Sequence, residues 1–166
     1  MKKLFAVLLL MLFLTGCSVR ETFETISDLH DVQTAGQMYQ LQLSLPEEAA
    51  IPSLENAEEG KIYLCDGYVL TVQTMDAGDM DRTLRQLTGY GRDQLTVMQT
   101  RPGEYDRYEC VWSAAGEAED QVGRCVILDD GVYHYAVTVM ANFSAVGELT
   151  PVWQSILSSV CLVSTD

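Results

Sequence analysis

An unbroken apolar run, Leu4 to Leu14, limits what the rest of this chain can become. Its eleven residues would make a helix of about 16 Å, against a bilayer hydrocarbon core of about 30 Å, so the run is too short to be a membrane anchor. Lys2 and Lys3 precede it, and Thr15-Gly16-Cys17 close it. Basic, apolar and small-residue segments in that order make a secretory signal. What folds is the remainder, and it folds outside the cytoplasm.

Leu14-Thr15-Gly16-Cys17 resembles the lipobox of bacterial lipoprotein precursors, in which a leucine and small residues precede an invariant cysteine. The resemblance implies that Cys17 is thioether-linked to diacylglycerol and becomes the first residue of the mature protein. An ordinary signal peptide would leave a cysteine at that position to chance. Two acyl chains anchor a protein stably where one holds it only marginally. Residues 1–16 are then a lipoprotein signal peptide, 17–36 the lipidated cysteine and a polar tether, and 37–166 a single extracytoplasmic α/β domain. The expected location is the cell envelope, on the extracytoplasmic face of a membrane, with membrane contact through the lipid.

The full chain holds 10 basic and 24 acidic residues. Removal of residues 1–16 takes Lys2 and Lys3 with it, leaving 8 against 24, a charge of −16 with Lys61 as the one remaining lysine. Nucleic-acid binding rests on phosphate neutralisation by Lys and Arg, so this balance excludes it. It also disfavours docking onto anionic lipid heads. The mature chain, 166 less 16 or 150 residues, suffices for one domain with a sizeable core.

Besides Cys17 there are four cysteines: Cys65, Cys110, Cys125 and Cys161. An even number in an exported domain permits two disulfides, and the alternative is four small buried thiols. No CxxC spacing or Cys/His cluster suggests zinc.

Ser18 to about Gly36 is polar. Val19, Phe23, Ile26 and Leu29 fall at helical spacing, but the position between anchor and first strong strand favours a tether. As coil it would hold the domain on the order of 25 Å from the bilayer. Tyr39 to Leu45 alternates without a fault and stops at Pro46, as a half-buried strand does. Glu47 to Gly60, with Pro52 and five glutamates, has no period and reads as a loop. Lys61–Cys65 and Tyr68–Met75 flank Asp66-Gly67, a two-residue hairpin signal. Asp79 caps a helix running to Thr88, with Met80, Leu84 and Leu87 on one face and Gly89 as its stop. Arg82 and Arg85 lie off that face, as solvated surface.

The second half reads as a three-strand meander. Tyr108, Cys110, Trp112 and Ala114 share one face; Gly123, Cys125 and Ile127 share the next strand's. Pairing Cys110 with Cys125 sets Trp112 opposite Gly123 and Tyr108 opposite Ile127, filling the space a glycine leaves. That register makes Cys110–Cys125 the first candidate disulfide and leaves Cys65–Cys161 as a weaker one by subtraction. Asp129-Asp130-Gly131, taken as a three-residue loop, pairs Leu128 with Val132 and puts Tyr133, Tyr135 and Val137 beside Ile127, Cys125 and Gly123. A two-residue loop would send the tyrosines to the opposite face. Leu149, Trp153, Ile156, Leu157 and Val160 then form the apolar stripe of a last helix that buries against the sheet.

The fold class is therefore α+β, an antiparallel sheet with packed helices. The order hairpin, helix, meander and closing helix, with Tyr133 to Val139 as last strand and Trp153-Gln154-Ser155-Ile156-Leu157-Ser158-Ser159-Val160 in the helix, resembles the Mog1/PsbP-like α/β/α sandwich. The likeness spans about Tyr39 to Val163. It implies an adaptor or binding module, and none of the family's functional residues can be placed here.

Of two histidines, His30 falls in the tether and His134 on the strand face opposite the tyrosines, expected to be plain sheet surface or a packed edge. Neither has a nameable nucleophile partner. Asp76, Asp79 and Asp81 lack the calcium-loop pattern. No catalytic or metal residue and no cofactor is expected. The reading is a non-catalytic binding or adaptor lipoprotein with an envelope protein partner; the alternative is a small-molecule binder with an apolar pocket between sheet and C-terminal helix.

Overall fold

The computed structural model describes residues 22–27, 39–49, 51–56 and 60–164. The signal segment, Cys17, His30 and most of the expected tether lie outside them. Two antiparallel sheets and two helices make an α+β fold. In the smaller sheet β2 (Tyr39–Pro46) is central, flanked by β1 (Phe23–Ser27) and β10 (Cys161–Ser164).

The larger sheet contains β3 (Leu54–Asn56), β4 (Gly60–Cys65), β5 (Tyr68–Asp76), β6 (Val97–Thr100), β7 (Asp106–Ala114), β8 (Gln121–Asp129) and β9 (Tyr133–Asn142). Their spatial order is β3-β4-β5-β9-β8-β7-β6, all antiparallel. Helix α1 (Met80–Thr88) packs on one face of it and α2 (Val146–Ser159) on the other.

Local signals set the hairpin and the first helix. Cys65 pairs with Tyr68 across Asp66-Gly67, where Gly67 has φ 76°. Asp79 caps α1 through Oδ1, which accepts from Asp81 N at 3.1 Å, and Gly89 ends it with φ 81°. In β2 the alternation buries Leu41, Leu43 and Leu45, which join α2 and the larger sheet in one core. Trp153 and Ile156 are fully buried there, and Tyr68 meets Trp153 edge-on with ring centroids 6.3 Å apart. The C-terminal carbonyls of α2, left open by the end of the helix, are met by Arg107. Its guanidinium donates to Leu157 O at 2.7 Å and Val160 O at 2.9 Å, a cation where the helix dipole favours one.

Several expectations need correction. Residues read as tether include β1, which pairs with β2 from Phe23↔Pro46 to Ser27↔Gln42. The stretch read as a loop holds a 3-10 turn, Glu47–Ala49, and strand β3. Strands β6 and β10 extend the sheets beyond the expected meander.

The β8–β9 register also differs. Tyr135 faces Leu128, and His134 faces Asp129, so the tyrosines lie on the α2 side, away from Ile127 and Cys125. The turn decides this. Gly131, at φ 87°, takes the first of two loop positions, Gly131-Val132, as a two-residue hairpin of the type II′ class requires. Asp130 Oδ1 then accepts from both Val132 N and Tyr133 N, at 2.8 and 2.7 Å.

Candidate functional site

The expected site residues fall in three places. Cys110 and Cys125 face each other across β7 and β8 with their Sγ atoms in contact, both buried under α1. Hydrogen bonding to Cys125 draws the Cys110 pKa down, and the same bond together with burial holds Cys125 up. All four cysteines are free thiols in this structure, and Cys65 and Cys161 have separate neighbours, Cys65 Sγ 3.7 Å from Tyr63 O and Cys161 Sγ 3.8 Å from Gln42 Oε1. Burial pushes the Cys65 thiol pKa up, with a hydrogen bond to Tyr68 acting against it.

His134, expected at the sheet surface or a packed edge, is fully buried on an interior strand. Its Nδ1 lies 2.7 Å from Thr83 Oγ1 on α1, and its Nε2 is 3.4 Å from Asp129 Oδ2 without forming a hydrogen bond. The file Asp129–His134–Thr83 has the composition of a nucleophile, base and orienting acid. Thr83 is only 5% exposed, however, and its hydroxyl points into the protein rather than at a substrate. The arrangement ties α1 to the sheet. Among the described residues no group of three or more His, Cys, Asp or Glu could hold a metal ion.

Trp153, Ile156 and Leu157 pack between the sheet and the middle of α2. A cleft of about 770 Å³ opens between the sheet and the N-terminal end of that helix. Four segments build it. Glu47 N donates to the carbonyl of Thr22, just before β1, at 2.9 Å, which fixes the 3-10 turn with Glu47, Glu48 and Ala49 as one wall. The β4–β5 hairpin end supplies Leu64, Cys65, Asp66 and Tyr68. The first turns of α2 supply Glu148, Leu149 and Val152. Gly67 is required by its φ of 76° rather than by space, since a Cβ there would meet Leu149 Cδ1 at 3.9 Å, an ordinary contact. The floor is apolar and the rim acidic. Nothing in the sequence brought these residues together, because the four segments meet only in the folded chain.

Residues 1–18 match the family model described as prokaryotic membrane lipoprotein lipid attachment site. The chain thus carries the signal peptide and lipobox of a membrane-anchored bacterial lipoprotein. No curated protein matches the chain in sequence. Among solved structures it is similar to LpqN of Mycobacterium tuberculosis, described as involved in cell envelope biogenesis. The identity is 8%, the TM-score 0.42, and the match covers 89% of this chain and 87% of that one.

Proposed function

We propose that this chain is a non-catalytic binding or adaptor lipoprotein, lipidated at Cys17 and displayed on the extracytoplasmic face of the envelope. The observation that carries this reading is the joint presence of the attachment motif and a large open cleft only five residues beyond it, at Thr22. Five residues reach at most about 18 Å when fully extended, so the cleft lies close to the membrane. Its volume falls in the range of ligand sites, about 300–1,000 Å³. A helix on each face of the antiparallel sheet supports a Mog1/PsbP-like α/β/α arrangement, whose members are adaptor or binding modules.

Replacement of Cys17 by Ser tests the anchor. Fatty-acid labelling should disappear and the protein should leave the membrane fraction; persistent labelling would contradict the assignment. An exported domain also favours a bond between Cys110 and Cys125, whose register already sets them opposite each other. Thiol titration of the unfolded, unreduced protein should then find Cys65 and Cys161 free and the other two protected.

A further inference from the structure

The rim of the membrane-proximal cleft has a single sign of charge. Glu47, Glu48, Asp66 and Glu148 all line it, all four are exposed, and no Lys or Arg is among the described lining residues. Among the described residues none of the four is in an ion pair, whereas Asp81, Asp106 and Glu109 elsewhere on the surface each have an arginine within 4 Å. Like charges converging on one cleft repel each other and raise the local concentration of cations. Beneath them lies apolar surface, and Leu64 on the lip is 66% exposed.

These features select an occupant. An anionic phospholipid head would meet four carboxylates and is repelled. A small inorganic cation would leave the apolar floor wet. A chain segment with basic residues beside a bulky apolar one satisfies rim and floor together, and a cleft within about 18 Å of the lipid-bearing residue reaches such segments where they leave the bilayer. Resting on the adaptor reading above, we infer that the cleft takes a basic, amphipathic peptide segment flanking the membrane span of an envelope protein. The apolar residue enters between Leu149, Val152 and Tyr68, and the basic residues meet Glu47, Glu48 and Glu148.

The test places a photo-cross-linking amino acid at Leu64 of the full-length lipoprotein in its own membranes, and sequences the cross-linked peptide. A second label at Val132, on the hairpin at the far end of β5 and β9, serves as reference. The expected adduct from Leu64 is a peptide with two or more Lys or Arg residues next to a membrane span. Its yield should fall about tenfold when Glu47, Glu48 and Glu148 are changed to Gln, as three exposed ion pairs would dictate. Adducts to lipid alone, a peptide without basic residues, or a yield indifferent to the three changes would each overturn the inference. If Val132 captures an envelope protein and Leu64 does not, the cleft is the wrong site while the adaptor reading stands. If neither label captures any protein, both fall.

Discussion

The two faces of the larger sheet are held by different means. On the α2 side, nineteen buried residues form one cluster that spans both sheets and centres on Trp153. On the α1 side the cluster has eight, including two cysteines, and much of its order comes from individual fits. Trp112 lies flat over Gly123, Thr83 bonds His134, and Asp81 Oδ1 accepts from Arg92 N at 2.7 Å. One face is stabilised by apolar area, which any large truncation removes. The other depends on matched shapes and polar pairs, where a change of a few atoms matters and its reach is local.

The largest expected effect is on the area-held face. Trp153→Ala should cost about 3–5 kcal/mol, since it empties the centre of the larger core. Denaturant unfolding of the protein measures it, and a loss below about 1 kcal/mol would place the stripe of α2 outside the core. Next comes a one-carbon change on the fitted face. A Cβ at Gly123 would overlap the Trp112 ring, so Gly123→Ala should cost about 1–3 kcal/mol by overpacking, and Trp112→Leu in the same chain should recover part of it. A pair that is merely additive would remove shape matching from the account.

The smallest is Thr83→Val, which keeps the volume and deletes the hydroxyl facing His134. It should cost about 0.5–1.5 kcal/mol, the net worth of one hydrogen bond. Amide exchange in α1 should quicken while that in α2 stays unchanged. Equal acceleration in both helices would mean that the two faces open as one unit.

The same contrast separates what could be read in the sequence from what could not. The β7–β8 register was legible because Trp112 with Gly123 and Tyr108 with Ile127 are complementary in size, and one register satisfies both pairs. Helix α1 was legible from Asp79 and Gly89, whose backbone roles are local. The β8–β9 register was not. Strand β9 is buried on both faces from Tyr133 to Val137, so alternation gives no preference, and Asp129-Asp130-Gly131 fits loops of two lengths. His134 was misplaced for the same reason: a polar residue on a central strand reads as surface until α1 is known to cover it. Strands β1, β3, β6 and β10 are short and lack a clean two-residue period. The cleft was invisible because it joins residues as distant as Thr22 and Val152.

The central claim is that the acidic cleft faces the membrane at the anchored pole. The direct measurement is quenching of a fluorescent amino acid by lipids that carry a headgroup quencher, in vesicles holding the full-length lipidated protein. One label sits at Leu64 on the cleft lip, the other at Val132, where 47% exposure leaves room for it. The strand β5 separates the two ends by roughly 23 Å over the seven steps from Val69 to Asp76. The account predicts stronger quenching at Leu64 than at Val132. Equal quenching, or stronger quenching at Val132, would contradict it.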